Sequence, residues 1–499
     1  MYVKQVEITN IRAISKFKMT FARPAGWHVL IGNNGVGKTT ILRSIALALM
    51  GYNNALSLQE DWHNWLNQKS ESGTIKLQIL RDEKRDFHSD NFPLAKSKTI
   101  SNEATFIKRG EDISFSTNTN LNEPNNPQFY NWSGGSGWFS AGYGSFRRFT
   151  GGSEQMDKLL NNSNLKRLAS HLSLFRDDVA LSAVTKWLQA LDYQNLDIQR
   201  EILTIYRDKE FERLEDLKKT NVDEKVLSDE LEKILENLQS LLIYDDNIIK
   251  KSNLELLKIR NYLVHNTNLG KSNNLVNNLI KFINFGALLP NNTKLYSISS
   301  EGVLFTDGNG NIISITQLSE GYRSILSLTF ELIRQLVNTY GEDLVFENIK
   351  NDVIKINLPG VVLIDEIDAH LHPTWQIKIG KWFTDCFPKI QFIVTTHSPL
   401  ICRASEKGSI WRLADLGSDM KPEQVKGTEK NRLIFGNILD AYGTDVFGTD
   451  VTISKKSLDM REELVQLNKK KLLGVITPDE EVRLNELRQI FTTDDSVNE

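Results

Sequence analysis

The chain has 499 residues, of which 40% are hydrophobic and 25% charged, so it is long enough for two or three globular units with their own cores. The 60 basic and 63 acidic residues give a net charge of −3. This total gives no sign of a nucleic-acid-binding protein, although a local basic groove would be compatible with it. No segment approaches the roughly 18 apolar residues of a membrane-spanning helix, and two cysteines without metal-ligand spacing favour a cytoplasmic location.

The first fifty residues contain the most informative motif. An alternating pattern predicts an edge hairpin, and an apolar strand at Trp27–Ile31 then leads into Gly32–Thr40, GNNGVGKTT. Glycines in this segment let the backbone turn tightly, so that successive N–H groups and the start of the next helix point at one anion. The pattern is that of a Walker A loop. It predicts an ATP site formed by Asn33, Asn34, Gly35, Val36, Gly37, Lys38, Thr39 and Thr40.

Two side chains of this loop have separate predicted roles. The Lys38 ammonium would neutralise the β- and γ-phosphates, and the Thr39 hydroxyl would hold Mg²⁺. The alternative is a glycine turn that only opens a helix. The apolar strand before the motif and the apolar helix Ile41–Leu49 after it favour the phosphate-binding interpretation.

Shorter β-rich pieces follow. Alternation predicts strands at Gly73–Leu80, Ala104–Lys108 and Ile113–Ser116, and the asparagine-rich stretch Thr117–Gln128 predicts a surface loop. The next stretch, Trp132–Phe149, is rich in aromatic residues and glycine. Its polar end either lies near phosphates or forms a packed strand that ends in a solvated basic turn; the residues concerned are Tyr143, Gly144, Arg147 and Arg148.

The middle of the chain is predicted to be helical. Residues 163–267 carry apolar side chains at spacings of three and four, but the heptads are not sustained, so we expect a compact insertion and not a long coiled coil. Strands return at 294–316 around Asp307–Gly310, a hairpin signal. Directly after them comes Leu318–Ile333, LSEGYRSILSLTFELI.

Two further apolar strands end in polar residues. The strand Val361–Ile364 runs into carboxylates, of which Asp365 is predicted to hold Mg²⁺ and Glu366 to orient or deprotonate the attacking water. The strand Gln391–Thr396 ends at His397, which we expect to sense the γ-phosphate. The predicted catalytic set consists of Lys38, Glu366 and His397. The intervening segment, AHLHP, fits a turn at a subunit interface better than a metal site.

Taken together, GxxxxGKT, LSEG, LIDEID with AHLHP, and TTHS resemble the motifs of ATP-binding-cassette ATPases, in the same order. The phrasing is most similar to the branch with structural-maintenance, RecF-type and lysogenization-defect ATPases. The resemblance implies that Ser319, Glu320 and Gly321 form the signature that caps the γ-phosphate of a partner's nucleotide, so that two ATPs lie between two subunits. It also implies that Arg12 presents its charge to the nucleotide.

The resemblance implies an α/β fold: an ABC-type ATPase head, with a mixed sheet core and an antiparallel β subdomain, a compact helical insertion and a C-terminal helical hairpin. We expect an N-terminal lobe at 1–150, the insertion at 151–290, a C-terminal lobe at 291–430 and a helical tail at 431–499. The tail helices, Leu458–Leu472 and Pro478–Phe491, are amphipathic, and Thr477 with Glu480 predicts a capping box. This hairpin would dock on the ATPase body or on a partner.

The insertion, the AGYGSFRR segment and the tail together resemble PtuA subunits of Septu-type antiphage systems, which work with a separate HNH nuclease and also occur in some retrons. No nuclease constellation is visible in this sequence. The resemblance therefore implies an ATPase that dimerises around Mg-ATP and controls an HNH nuclease. The alternatives are a RecF-like DNA-repair ATPase that binds DNA, and a nucleotide-sensing switch with little turnover; a retron RNA–DNA element is a further partner to consider.

Overall fold

The computed structural model describes residues 1–82, 84–86, 98–117, 138–147, 166–177, 184–191, 212, 270–289, 291–299, 302–349, 353–414, 422–436 and 455–490. The predicted surface loop from residue 118 onward lies outside these ranges, as do Arg148 and most of the predicted helical insertion. Among the described residues, no helix is both long and apolar enough to cross a bilayer.

Fourteen strands of the described residues form three sheets. They are β1 (Tyr2–Ile11), β2 (Ile14–Thr20), β3 (Gly26–Ile31), β4 (Ser72–Leu80), β5 (Thr99–Arg109), β6 (Asp112–Thr117), β7 (Ser140–Tyr143), β8 (Lys294–Ser299), β9 (Gly302–Thr306), β10 (Ile312–Ser314), β11 (Gly360–Ile364), β12 (Ile390–Thr396), β13 (Ser409–Arg412) and β14 (Glu423–Val425). The helices are α1 (Lys38–Met50), α2 (Tyr52–Ser57), α3 (Lys166–Phe175), α4 (Gly270–Asn284), α5 (Glu320–Tyr340), α6 (Glu342–Val345), α7 (Pro373–Cys386), α8 (Gly427–Phe435), α9 (Lys455–Leu472) and α10 (Pro478–Ile490).

The largest sheet has the strand order β14-β13-β3-β12-β11-β7. Its five strands from β13 to β7 run parallel, and only β14 is antiparallel. Their carboxyl ends therefore meet at one edge, where open α/β sheets bind their ligands. The segments that leave this edge are the phosphate loop after β3, the carboxylates after β11, His397 after β12 and the loop to Arg147 after β7.

The parallel strands are apolar on both faces because the sheet separates two cores. On β11, Val362 and Ile364 face a core that includes α5 and α7, whereas Val361 and Leu363 face a core that includes α1 and the antiparallel sheet. Burial on both faces explains why these strands read as continuous apolar runs.

The antiparallel sheet has the order β2-β1-β4-β5-β6. The predicted N-terminal hairpin forms. Of its two strands only β2 lies at an edge of the sheet, because β1 also pairs with β4. A third, three-stranded sheet contains the hairpin predicted around Asp307, with Ile312 opposite Thr306. The mixed sheet and the antiparallel sheet confirm the predicted α/β fold class.

The C-terminal hairpin is confirmed as well. The Thr477 backbone N–H donates to Glu480 Oε2 at 3.1 Å, and the Glu480 N–H donates to Thr477 Oγ1 at 3.3 Å, which is the predicted capping box. Helices α9 and α10 pack through four buried leucines: Leu464, Leu467, Leu484 and Leu487. The boundaries proposed between the four units of the chain stay a prediction.

Candidate functional site

The phosphate loop has the strand–loop–helix geometry that its sequence predicts. Gly35 and Gly37 adopt positive φ angles of 82° and 99°, which glycine reaches without a steric penalty. Gly37 is the N-cap of α1, and its carbonyl accepts the first bond of the helix, from the Ile41 N–H at 2.9 Å. A β-carbon at Gly37 would also approach Ile14 Cγ1 to 3.1 Å. The helix therefore begins inside the motif, with its N-terminal donors turned into the loop.

Lys38 folds back onto its own loop. Its ammonium donates to the carbonyl oxygens of Gly32 at 2.7 Å and Asn33 at 2.8 Å. Burial lowers the pKa of Lys38, and the nearby charges of Asp365 and Glu366 act in the opposite direction. A cation is thus held in the loop by carbonyl groups that a phosphate can replace.

Thr39 and Asp365 form the contact between the loop and the carboxylates. The Thr39 hydroxyl donates to Asp365 Oδ2 at 2.7 Å, and the other carboxylate oxygen accepts from Thr395 Oγ1 at 2.5 Å. Asp365 is buried. A hydroxyl and a carboxylate in contact are hard oxygen donors of the kind that Mg²⁺ prefers, so the residues present fit this ion.

Thr395, a residue that the sequence analysis did not single out, connects the two acidic positions Asp365 and Glu366. Besides its bond to Asp365, its oxygen accepts from the Glu366 backbone N–H at 2.8 Å. The contact follows from register, because Ile364 pairs with Val394 in parallel and each next residue lies just beyond the ladder. The two threonines that end the apolar strand were the available signal.

Glu366 lies in an unfavourable backbone conformation. Its φ is 45°, in the left-handed region that costs a non-glycine residue roughly 1–2 kcal/mol. Its N–H is held by Thr395, and its carbonyl accepts from Arg147 Nη2 at 3.1 Å. These two bonds fix a strained residue at the predicted position of the general base.

Asp368 and His397 form the next layer. The Thr396 hydroxyl donates to Asp368 Oδ1 at 2.5 Å, and the His397 backbone N–H donates weakly to Oδ2 at 3.4 Å. Burial and the charge of Lys38 lower the pKa of the half-buried His397, against the opposing effect of Asp368. His397 is therefore largely neutral at neutral pH, and its ring can both donate and accept a hydrogen bond.

The packed strand predicted for this segment is present as the buried β7, but the solvated basic turn predicted after it is wrong for Arg147. Arg147 is buried, so it is not part of a solvated basic turn, and its guanidinium donates to backbone carbonyls instead of lying open for phosphate. Tyr143, at the end of β7, is buried too. Arg147 is thus a buried residue that lies behind the carboxylates and contacts their backbone.

The signature residues lie at the start of α5. Ser319 is the N-cap, is exposed and makes no side-chain capping bond. Glu320 Oε2 lies 3.8 Å from His370 Nδ1. A β-carbon at Gly321 would come within 2.7 Å of the His370 carbonyl oxygen, so only glycine fits there. The signature therefore packs on the turn that follows the carboxylates.

The turn itself ends in a capped helix. His372 is the N-cap of α7, and its Nδ1 accepts from the Thr374 backbone N–H at 3.4 Å. Arg12 is engaged elsewhere: its guanidinium lies 4.5 Å above the Trp65 ring, and its Nε donates to the Asn64 carbonyl at 3.1 Å. A role for Arg12 at the nucleotide stays a prediction.

Residues 1–402 match the protein family described as "AAA ATPase domain". The chain is 39% identical to the retron Ec83 probable ATPase of Escherichia coli over 124 residues, which are 25% of this chain and 21% of that protein. It is 23% identical to Septu protein PtuA of Bacillus mycoides (strain KBAB4) over 414 residues, 82% of this chain and 40% of that one. The chain thus spans less than half the length of these curated relatives.

Among solved structures, the Smc head domain with an extended coiled coil bound to the C-terminal domain of ScpA, from Pyrococcus furiosus, aligns with a TM-score of 0.43 and 15% identity. That alignment covers 85% of this chain and 96% of the Smc chain. The resemblance to PtuA and retron-associated ATPases that the motifs predicted is confirmed by the sequence similarities. With the family match covering 402 residues, the chain belongs to the AAA ATPase domain family.

Proposed function

We propose that the chain is the ATP-binding and ATP-hydrolysing subunit of an antiphage defence complex. It would dimerise head to tail around two Mg-ATP and regulate an associated HNH nuclease. The observation that carries the ATPase assignment is the direct bond between Thr39 of the phosphate loop and Asp365 at the end of β11, which is separated from β3 by β12 in the sheet. The similarity to PtuA and retron ATPases supports the defence role.

The phosphate-binding part of the proposal uses groups that are already in place. The loop residues 33–40 would surround the triphosphate, and Lys38 would exchange its two carbonyl partners for phosphate oxygens. Thr39 and Asp365 would hold Mg²⁺, which supplies charge neutralisation on the phosphates when bound. Because both side chains already touch, little rearrangement is needed to present them to the ion.

Glu366 is the proposed general base. Its backbone is fixed on both sides, by Thr395 and by Arg147, so its carboxylate is presented from a defined point next to Asp365. A base held in one geometry can accept the proton of the attacking water without reorganising. His397, neutral at neutral pH, would contact the γ-phosphate through a ring N–H.

The proposed dimerisation is inferred from the signature residues at the start of α5. The exposed N-terminus of α5 offers backbone N–H groups and the positive end of a helix dipole to an anion. We propose that Ser319, Glu320 and Gly321 receive the γ-phosphate held by the phosphate loop of a second copy, and the reverse. Each copy would contribute its phosphate loop to one site and its signature to the other, so the two contacts are equivalent and the dimer closes with two-fold symmetry.

Two substitutions test the ATPase assignment. We expect Lys38→Ala to abolish ATP binding, and Glu366→Gln to keep ATP bound while turnover falls by about 100- to 10,000-fold, the range for loss of a general base. Binding is measured by equilibrium dialysis and turnover by phosphate release. Lys389→Ala and Glu462→Gln, on exposed residues, are matched controls and should behave as wild type. Unchanged turnover in Glu366→Gln would contradict the assigned base.

The same measurements test one alternative, and DNA binding tests the other. A switch with little turnover would bind ATP through Lys38 but release almost no phosphate in the wild type. A RecF-like ATPase would bind duplex DNA as an isolated chain, with an affinity that falls steeply with salt.

The proposed HNH partner is tested by co-purification. The turn between the two helices of the C-terminal hairpin exposes three apolar side chains, Leu472, Leu473 and Val475. We propose that the hairpin docks on the partner through this turn. Replacing Leu472 and Leu473 by glutamate should reduce recovery of the nuclease with this chain while ATP turnover stays unchanged. Equal recovery would place the docking surface elsewhere.

A further inference from the structure

We propose that Arg147 is a positioning residue that couples the signature helix α5 to the general base. The inference rests on the proposed ATP hydrolysis and adds a route by which binding at the signature reaches Glu366. The coupling would run through hydrogen bonds inside one chain, and it needs no movement of the sheet.

The guanidinium of Arg147 is a hub for the backbone behind the carboxylates. Nη1 donates to the carbonyls of Gly144 and Asp365, both at 2.8 Å, and Nη2 donates to the carbonyl of Glu366 at 3.1 Å. The side chain is buried. Three carbonyls are therefore satisfied by one planar group, and two of them belong to the residues predicted to hold Mg²⁺ and activate water.

The same residue is held by the signature helix. Arg147 Nε donates to the Ser324 hydroxyl at 3.2 Å, and the Ser327 hydroxyl donates to the Arg147 carbonyl at 3.1 Å. Ser324 lies in the second turn of α5, five residues after Ser319. A helix moves as a rigid element, so a shift of its N-terminus toward an anion displaces both serines and, with them, the guanidinium.

The strain at Glu366 makes this connection effective. A residue with a φ of 45° keeps that conformation only while its surroundings enforce it. Thr395 enforces it from β12, through the N–H, and Arg147 enforces it from the side of α5, through the carbonyl. Weakening the second bond allows Glu366 to relax and moves its carboxylate away from the productive position.

The chemistry of the contact requires arginine. Burial lowers the pKa of Arg147 and the nearby carboxylates partly oppose this, which leaves the pKa at about 10. The group therefore remains a cation at neutral pH. Its flat fork directs donors to several acceptors at once, whereas the single ammonium of lysine cannot match that geometry. Lys at this position would keep the charge and lose the alignment.

Two variants test the coupling with a matched control. Arg147→Lys removes the fork, whereas Ser324→Ala removes only one of the two hydrogen bonds that join Arg147 to α5. Thr329→Val is the control, because the Thr329 hydroxyl on the same helix is buried and has no hydrogen-bond partner among the described residues. We expect kcat to fall about 100-fold in Arg147→Lys and about tenfold in Ser324→Ala, with the KM for ATP unchanged. The double variant should lose no more than Arg147→Lys alone.

A second measurement does not depend on turnover. Amide hydrogen exchange at residues 365–371 should be faster in Arg147→Lys and Ser324→Ala than in the wild type and Thr329→Val. If the two variants exchange faster than the wild type but the wild type itself releases no phosphate, the result would support the coupling and refute the ATPase proposal. If Arg147→Lys does not fold, Ser324→Ala decides. Wild-type kcat and wild-type exchange in Ser324→Ala would overturn the inference.

Discussion

The two ends of the proposed ATP site differ in how far one chain completes them. The carboxylate end, formed by residues 365–368 with Thr395 and Thr396, is buried in the main, and its side chains are joined by short hydrogen bonds. The signature end, Ser319–Gly321, is largely exposed, and its N-cap side chain makes no capping bond. The Glu320 side chain is 54% exposed.

This difference follows from the cost of burying polar groups. A buried carboxylate must have partners, so the carboxylate end is ordered before any ligand arrives. Exposed N–H groups at a helix N-terminus are satisfied by water and are free to exchange it for an anion. One end is therefore prepared within the chain, and the other is suited to a ligand held by a second molecule.

The largest loss of ATP turnover is expected when the signature end is blocked. Ser319→Arg should lower ATP turnover about 100-fold, because a bulky side chain obstructs the approach of the partner's phosphate, while ATP binding to the isolated chain is retained. Mixing Ser319→Arg with Lys38→Ala should restore turnover to about one quarter of wild type, because half of the dimers are mixed and each has one intact site of two.

Asn485→Arg, at an exposed position of α10, is the matched control for the added charge and should leave turnover unchanged. Recovery is followed by phosphate release after the two variants are mixed and allowed to exchange subunits. A mixture that stays as inactive as its components would show that the two ends do not act across subunits.

The sequence predicted some residues of the carboxylate end and of the phosphate loop better than the partners that hold them. The phosphate loop, Asp365 and Glu366 are contiguous motifs whose chemistry depends on local spacing, so their contacts could be anticipated. Thr395 and Arg147 act through the register of β12 and β7 against β11, and that register brings together residues far apart in the chain. Residue patterns along one segment contain no information on such pairs.

A smaller effect is expected from the hydroxyl that organises the carboxylate end. Thr395→Val leaves the buried Asp365 carboxylate without one donor and the Glu366 N–H without its acceptor. We expect stability to fall by about 1–3 kcal/mol and kcat by about tenfold. Urea unfolding and phosphate release measure the two effects. Thr395→Ser keeps the hydroxyl and should restore most of both, so equal losses in the two variants would argue against the hydrogen bonds.

The last prediction concerns the pH dependence of stability, which we expect to come from buried histidines in and beside the sheet and not from the signature end. His28, on the strand that leads into the phosphate loop, and His171, on α3, are both buried, and burial lowers the pKa of each to about 4. An unfolded histidine titrates near 6.5, so below that pH the unfolded chain binds protons that the folded chain does not. The free energy of unfolding should therefore decrease from about pH 6.5 to about pH 4, by at most about 1.4 kcal/mol per pH unit for each histidine.

Urea midpoints between about pH 7 and about pH 5 measure this slope. His28→Gln should reduce the slope by about one proton. His63→Gln is the matched control, since the His63 side chain is 53% exposed and its replacement removes no buried imidazole. Because His28 bonds to Ser409 on β13 and to the Pro24 carbonyl just before β3, acid would act on the sheet that carries the carboxylate end. An unchanged slope in His28→Gln would mean that the sheet tolerates the charged imidazole.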